Sequence, residues 1–456
     1  MNLRLLGNAR PIRVSGEKET KRPAAASVFL FSLIAVTIFA PGLAIGAVKG
    51  EAVDPVVSVL TATPLSGPVT IEEFSLPKPY SSPYGITVDK KDRIWFTESA
   101  GNNIAVFDPA SRVLKEYRIP STKDLPDSAW KYDPSNKTMP ENTMNVFSVG
   151  GPGSLVIDKD GIVWTVLLLG NSILRFDPEK EEFVEFLLPN KNAQPYDIAA
   201  DPHGRIWFVE KNGGKFGYVD QSTEKIVEMS LGEGTCPMGI AVDDKGNVWV
   251  GEVNGNYIGR YQPETKTFRK FPINIHAAQP GQMRFDKAGK LWFCQPQTKQ
   301  LGVLIPEVEA FSAVDLIGYN AVPQAIAIAA DNRIWVVDSM LGKIGYFDQD
   351  NLKWGVFDIA GSHSQPMGVA IDSKGDVWFT ESGQMANKIA RLVRKSVPAS
   401  VGIAPKNAAE ENLKKLADQE EHGKKTLLYK YGAAGLLILL ALGGAVVIFK
   451  TRAKKD

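Results

Sequence analysis

The sequence predicts an all-β protein: a seven-bladed β-propeller of four-stranded blades, preceded by a signal or anchor helix and followed by a transmembrane helix. Three observations lead to this prediction. A tryptophan recurs every 42 or 43 residues, a short apolar segment that opens with proline precedes it, and an uncharged apolar segment lies near each end of the chain. A four-stranded repeat of about 40–45 residues is typical of propeller blades. Seven of the nine tryptophans mark one repeat each: Trp95, Trp164, Trp207, Trp249, Trp292, Trp335 and Trp378.

Each repeat contains four short strands. The first is apolar and follows a proline, as in PYGITVD (83–89), PMGIAVD (237–243) and PMGVAID (366–372). A polar turn with Asp, Gly or Asn leads to the second strand, which runs through the tryptophan. A third strand ends in turn residues, as in FDP (107–109), and a fourth follows, as in KEYRIP (115–120).

The repeats occupy residues 69–395. Trp95 and Trp164 are 69 residues apart, and an insert at 121–148, rich in Pro, Asn and Ser, accounts for the excess. The seventh repeat stops after its third strand, whereas TIEEFSLP (70–77) resembles a fourth strand placed before the first blade. We expect residues 70–77 to complete the seventh blade, which closes the ring and leaves no open sheet edge.

Both ends of the chain carry membrane signals. Residues 1–47 combine a basic start with an apolar run from Ser27 to Ala47, which fits a cleaved signal peptide or a retained anchor. Residues 431–449 are uncharged, and this length is typical of a transmembrane helix. A linker and helical stalk are expected at 396–430, and a basic cytoplasmic tail at 450–456. The propeller is therefore expected outside the cytoplasm, periplasmic or extracellular, on a protein that crosses the cell membrane once or twice.

The charge balance and cysteine content exclude several classes of function. Lys and Arg number 52 against 51 Asp and Glu, so no basic field favours nucleic-acid binding. Two cysteines, Cys236 and Cys294, are too few for a disulfide scaffold or a sulfur-rich metal cluster. They either form one bridge after export or remain two separate thiols.

The repeated segments resemble one known family. PYGITVD, WFTES (95–99 and 378–382) and KIGYFD (343–348), repeated on this spacing, resemble the virginiamycin B lyases, the streptogramin lyase family of seven-bladed propellers. The resemblance covers about residues 69–395. It implies a carbon–oxygen lyase that opens streptogramin B antibiotics by elimination across an ester, with Mg²⁺ and a catalytic histidine on one face of the ring.

The histidines that the resemblance implies are replaced in this sequence. Gln324 follows the proline of the sixth blade in place of a histidine, and the seventh blade opens with Gln365 and Met367 in place of a metal carboxylate and the base. Glu381 matches a second carboxylate and Tyr84 matches a tyrosine of the first blade. Methionine cannot take a proton near neutral pH, and glutamine brings no charge to a divalent cation.

Acidic residues recur three positions after the tryptophan. The seven repeats have Glu98, Leu167, Glu210, Glu252, Gln295, Asp338 and Glu381 at that place. Glu381, Glu98 and Asp338 are the candidate metal ligands, because carboxylate oxygens bind Mg²⁺ and Ca²⁺. Alternatively, these acids end a strand and accept hydrogen bonds from the neighbouring blade.

Side chains near the opening prolines are expected to meet at one mouth of the central channel. This candidate ligand-binding set comprises Tyr84, Tyr196, Met238, Gln282, Gln324 and Met367. Mixed aromatic, sulfur and amide walls suit an organic or peptide ligand; channel packing is the alternative. His276 and His363 lie in linkers before blades five and seven and, with Glu381, are the candidate catalytic residues.

Two functions follow from these residues. The first is an exported, membrane-anchored module that binds a small molecule, a peptide or a protein on the propeller face, with no cofactor. The second is a Mg²⁺-dependent lyase or lactone hydrolase that uses a base other than the histidine replaced at Met367. The first accounts for the missing histidines without replacements and is the function that we expect.

Overall fold

The computed structural model describes residues 48–51, 56–59, 62–65, 69–120, 151–316, 321–359, 364–383 and 386–397. The predicted helix within 1–47, the insert at 121–148, the stalk from residue 398 onward, the segment at 431–449 and the tail at 450–456 lie outside these residues. Within them, no helix is long and apolar enough to cross a membrane. The membrane segments therefore stay predictions.

Four short strands precede the first complete repeat: β1 (Val48–Glu51), β2 (Val56–Val59), β3 (Ala62–Leu65) and β4 (Ile71–Ser75). The first strands of blades 1 to 7 are β5 (Pro83–Val88), β9 (Pro152–Ile157), β13 (Pro195–Ala200), β17 (Pro237–Val242), β21 (Met283–Phe285), β25 (Pro323–Ile328) and β29 (Pro366–Ile371). The second strands, which carry the periodic tryptophans, are β6 (Ile94–Glu98), β10 (Val163–Leu167), β14 (Ile206–Glu210), β18 (Val248–Glu252), β22 (Leu291–Gln295), β26 (Ile334–Asp338) and β30 (Val377–Glu381).

The third strands are β7 (Asn103–Asp108), β11 (Ser172–Asp177), β15 (Lys215–Asp220), β19 (Tyr257–Gln262), β23 (Gln300–Ile305), β27 (Lys343–Asp348) and β31 (Lys388–Leu392). The fourth strands of blades 1 to 6 are β8 (Val113–Arg118), β12 (Glu182–Leu187), β16 (Lys225–Ser230), β20 (Thr267–Pro272), β24 (Ala310–Asp315) and β28 (Lys353–Asp358). One 3-10 turn, Arg394–Ser396, follows β31. Each blade is an antiparallel sheet, and the first strands contact one another around the ring, β29 with β5 included. The predicted seven-bladed, four-stranded propeller is confirmed.

The ring closes as predicted, because β4 is the fourth strand of blade 7. It pairs antiparallel with β31, with Ile71 opposite Leu392 and Ser75 opposite Lys388. Three further strands were not predicted: β3, β2 and β1 add a fifth strand to blades 7, 1 and 2 respectively. The side chains of β2 are mostly exposed, with Val59 at 73%, so no alternation of apolar and polar residues marked it as a strand.

The core lies between neighbouring blades, and the periodic tryptophans form much of it. Trp95 of blade 1 packs with Val163 and Phe176 of blade 2, and Trp378 of blade 7 packs with Phe96 of blade 1. All seven periodic tryptophans are at most 1% exposed. Burying about 200 Å² of a tryptophan at about 25 cal/mol per Å² contributes about 5 kcal/mol, which explains why one tryptophan recurs in every blade.

An aspartate organises the turn between the first and second strands. We number the first strand from its opening proline, position 1, so that Pro83 is position 1 and Asp89 is position 7. In blade 5 position 1 is Pro280, which lies before β21 begins. In six blades the position-7 aspartate accepts a hydrogen bond from the tryptophan Nε1 at 2.9 or 3.0 Å. Its other oxygen accepts the backbone N–H groups two and four residues later, as in Asp286. Position 7 of blade 6 is Ala329.

Each of the two WFTES segments forms hydrogen bonds from its own blade to the next blade. Thr97 Oγ1 donates to the carbonyl oxygen of Gly153 at 2.8 Å, and Ser99 Oγ donates to that of Pro152 at 2.6 Å. The corresponding threonine and serine of blade 7 donate to blade 1 in the same way. The motif that carries much of the family resemblance therefore has a structural role between blades.

Candidate functional site: the central channel

The first strands surround a central channel that contains a cavity open to solvent. In five blades the position-2 side chain lines this cavity. The six predicted ligand-binding residues, drawn from six blades, all line it: Tyr84, Tyr196, Met238, Gln282, Gln324 and Met367. The structure thus brings the whole set together, and its binding of a ligand stays a prediction.

Three of these side chains interact across the channel. Tyr84 of blade 1, Tyr196 of blade 3 and Gln324 of blade 6 are connected by hydrogen bonds. Burial raises the pKa of the Tyr84 hydroxyl well above its ordinary value, and the neighbouring Tyr196 raises it further. Burial also raises the pKa of Tyr196. Both tyrosines are therefore neutral hydrogen-bonding groups in the physiological pH range.

Two position-3 side chains connect the blades at the channel wall. Asp197 accepts hydrogen bonds from Ser154 Oγ at 2.6 Å, from Ile198 N at 3.0 Å and from Ile240 N at 3.1 Å. Gln282 Oε1 accepts the N–H of Ile326 in the next blade at 2.8 Å. Each side chain accepts a hydrogen bond from the position-4 backbone N–H of another blade. Both residues therefore help to hold the channel wall together.

Among the cavity residues that sequence reasoning missed are Asp197, Arg284 and Cys294. Alignment of the seven repeats would have singled out Arg284. Position 5 carries Thr, Val or Ala in the six other blades, namely Thr87, Val156, Ala199, Ala241, Ala327 and Ala370, but Arg284 in blade 5. Burial raises the pKa of the Cys294 thiol, which makes it unreactive at neutral pH.

The repeated acids after the tryptophans do not line the described cavity. Asp338 accepts hydrogen bonds from Val322 N, Met340 N and Leu341 N at 3.0–3.1 Å. Glu252 likewise accepts from Cys236 N at 2.6 Å. The acids do end strands and accept hydrogen bonds, as the alternative expected, but these donors belong to the same blade and not to its neighbour.

Three of the acids face a second glutamate on the fourth strand of their own blade, in the pairs Glu98 with Glu116, Glu210 with Glu228 and Glu381 with Glu73. Burial, and then repulsion from the second glutamate, raise the pKa of Glu98, Glu210 and Glu381 to about 8 each. A carboxyl group with a raised folded-state pKa favours folding fully below its unfolded pKa near 4.5. That contribution is lost as the pH rises to about 8.

The described residues do not fit the Mg²⁺ ion that the family resemblance implies. They contain no group of three His, Cys, Asp or Glu side chains that could hold a metal ion. The candidates Glu98, Asp338 and Glu381 lie one in each of three blades, and each is directed toward groups of its own blade. Gln365 and Met367 stand where the resemblance implies a ligand and a base, so we assign no chemical step to Mg²⁺.

The histidines and cysteines do not complete a catalytic site in the described part of the chain. His276 is exposed in the linker before blade 5 and does not line the cavity. His363 lies outside the described residues. Cys236 and Cys294 are free thiols, which is the second of the two alternatives for this pair.

Comparison with known proteins agrees with this architecture. The model of the virginiamycin B lyase family matches residues 141–413. A virginiamycin B lyase of Nocardia farcinica (strain IFM 10152) is 29% identical over 161 residues, which are 33% of this chain and 56% of that protein. One from Bacillus licheniformis is 50% identical over 38 residues, 8% of this chain and 13% of that protein. The chain thus matches less than two thirds of the length of both relatives.

Solved structures extend the likeness to the whole ring. The selenomethionine-substituted virginiamycin B lyase of Staphylococcus aureus is 26% identical with a TM-score of 0.61, covering 71% of this chain and 98% of that one. A catalytically inactive variant of that enzyme with quinupristin has a TM-score of 0.60 at the same identity and coverage. With a family match over more than half of its length, this chain belongs to the virginiamycin B lyase family.

Proposed function

We propose that this protein is an exported, membrane-anchored binding module that takes a small molecule or a peptide into the central channel of its propeller. The observation that carries the proposal is the lining of the cavity. Tyrosine, methionine and glutamine side chains from six blades line the cavity, whereas the recurrent acids are buried within the blades. Mixed apolar and amide walls of this kind suit an organic ligand.

The titratable groups of the cavity also favour binding over turnover. A general base needs a pKa near the working pH and a free acceptor. The pKa values of Tyr84, Tyr196 and Cys294 are raised, so none of the three is a base near neutral pH. Asp197 already accepts three hydrogen bonds from the channel wall.

Membrane anchoring rests on the two ends of the sequence. The uncharged segment at 431–449 has the length of a spanning helix, and the basic start of the chain before an apolar run is typical of export. A channel held outside the cytoplasm would meet ligands that arrive from the surroundings of the cell.

The alternative is a lyase, which family membership favours. It would require a base in place of the histidine that Met367 replaces, such as His276 or His363, and a contribution from Glu381. Quinupristin, the molecule named in one related structure, is the probe that separates the two functions.

The test uses the full-length protein in lipid nanodiscs. Binding of quinupristin is measured by calorimetry, and chromatography separates cyclic from ring-opened quinupristin after incubation with Mg²⁺. We expect saturable binding without ring opening. Met238→Lys, in the channel, should weaken binding at least about tenfold by placing a charge in the apolar wall, whereas Met340→Lys, at a residue 66% exposed, should leave it unchanged.

Two outcomes would overturn the proposal. Ring opening by the wild type that Glu381→Gln abolishes would establish the lyase. Binding that Met238→Lys leaves unchanged would place the ligand outside the channel.

A further inference from the structure

Arg284 places a positive charge in the channel wall of blade 5. The six other blades have Thr, Val or Ala at this position of the first strand, and Arg284 lines the cavity together with Cys294 and Pro296 of the same blade. An arginine that faces a cavity at a place otherwise held by small uncharged residues is not explained by the packing of the repeat.

The Arg284 guanidinium has unused donors. Its Nη1 donates to the backbone oxygen of Met283 at 2.7 Å, and within the described ranges it forms no ion pair. A guanidinium carries five N–H donors, so four of those of Arg284 have no hydrogen-bond acceptor among the described residues. Asp197, the carboxylate among the described lining residues, has both oxygens engaged in hydrogen bonds to the wall.

Gly281 leaves the space beside Arg284 open. It holds position 2 of blade 5, where five blades have Tyr, Met or Gln. A Cβ atom at Gly281 would meet only Cys294, at an ordinary 3.8 Å, and the backbone there is not left-handed. Gly239 of blade 4 differs, because a Cβ there would lie 1.9 Å from the carbonyl oxygen of Gly281. Neither packing nor backbone conformation requires glycine at 281, so its effect is to keep room in the cavity.

We propose that the blade 5 wall is a carboxylate-binding subsite and that the channel binds an apolar carboxylic acid. The guanidinium of Arg284 receives the acid group, and planar guanidinium groups bind carboxylates through paired hydrogen bonds. The space beside Gly281 admits the ligand, and Tyr84, Tyr196 and Met238 contact its apolar body. One cation beside apolar and aromatic side chains suits an acid with a compact apolar body, such as phenylpropionate. The inference rests on the proposed function, since it names the ligand class for the same channel.

The probes are 3-phenylpropionate and its amide, 3-phenylpropanamide, which share one body and differ in charge. Calorimetry on the full-length protein in nanodiscs measures both. We expect the acid to bind at least about tenfold more tightly than the amide. Arg284→Met should weaken binding of the acid by about 10- to 100-fold, the range for one lost charge-assisted pair, and leave the amide unchanged. Arg118→Met removes the same charge at an exposed residue of β8 and should change neither.

Gly281→Leu tests the open space independently of charge. The side chain would project into the cavity, so we expect wild-type thermal unfolding and loss of acid binding.

The outcomes separate this inference from the proposed function. Equal binding of acid and amide, unaffected by Arg284→Met but weakened by Met238→Lys, overturns the carboxylate subsite and leaves the binding channel standing. No binding of either probe also overturns the subsite, while the quinupristin titration decides on the channel separately. If Gly281→Leu leaves binding of the acid intact, the acid binds away from the wall of blade 5.

Discussion

Supplying the missing carboxylate of blade 6 should stabilise the propeller. Trp335 Nε1 is buried and has no hydrogen-bond partner among the described residues, because position 7 is Ala329. The backbone of the turn already has the required form: Ala329 N donates to Arg333 O at 2.9 Å, as Asp286 N does to Lys290 O in blade 5. Ala329→Asp therefore places a carboxylate beside Trp335 Nε1 and the backbone N–H groups two and four residues later, of which Arg333 N at present donates to Asp331 Oδ1 at 3.4 Å.

The magnitude follows from the other six turns. The new aspartate would gain the hydrogen bonds of the indole N–H and of Asp331 N, at about 1 kcal/mol net for each, and would replace the existing acceptor of Arg333 N, Asp331 Oδ1. Ala329 is 7% exposed, close to the 6% of Asp286 in the equivalent turn, so burying the charge costs about 1 to 2 kcal/mol of that gain. The side chain of Arg333 is 13% exposed and lies in the same turn, which lowers this cost. We expect Ala329→Asp to raise the free energy of unfolding by about 1 kcal/mol.

Urea unfolding followed by circular dichroism measures the change. Ala330→Asp is the matched control, because it adds the same charge at the neighbouring exposed residue. The reverse substitution, Asp286→Ala, should cost about 2 to 4 kcal/mol, because it leaves a buried indole N–H and two backbone donors unsatisfied. An Ala329→Asp protein no more stable than wild type, or a gain that Ala330→Asp reproduces, would refute the reasoning.

Three further predictions concern stability. Glu210→Gln should raise the free energy of unfolding by up to about 4 kcal/mol at pH 8 and far less at pH 5, because the Glu210 pKa is raised to about 8 by burial beside Glu228. Equal gains at both pH values in urea unfolding would contradict this. Thr97→Val keeps the shape but removes the inter-blade hydrogen bond, so the urea midpoint should fall by the equivalent of about 1 to 3 kcal/mol; an unchanged midpoint would deny that bond a role. Gly239→Ala should cost about 3 kcal/mol or prevent folding, while Gly281→Ala is tolerated, because a Cβ at 239 would overlap a backbone oxygen and a Cβ at 281 would not. Similar losses in thermal unfolding for the two variants would count against the packing argument.

The part of the candidate site that consists of equivalent positions in successive repeats could be predicted from the sequence. Position 2 lies at an equivalent place in every blade, at the same end of the channel. The spacing of the prolines was therefore enough to predict that Tyr84, Tyr196 and Gln324 meet at one cavity. The acids after the tryptophans were not predictable in this way. All five residues of each second strand are buried, so the sequence shows no alternation that would tell which face of the strand a glutamate occupies.

Arg284 and Asp197 were missed for a related reason. Arg284 departs from the small residues at position 5 of the other blades, and Asp197 is the charged residue among the Gly, Ser, Ala and Gln residues at position 3. Such a departure has meaning only once the cavity shows which positions face open space. The fifth strands β1, β2 and β3 lie outside the repeat, and the exposed side chains of β2 left no pattern to read.

The sequence by itself determined the number of blades, the four strands of each, the closure of the ring by residues 70–77 and the set of side chains at the channel. It did so because a propeller repeats one local unit, and a period in the chain becomes a period in space. Only the tertiary structure decided that the recurrent glutamates face their own blades and that Arg284 stands beside the open space at Gly281. Those facts depend on the direction that each side chain takes within its blade and on the open space of the channel, and a pattern along the chain specifies neither of them.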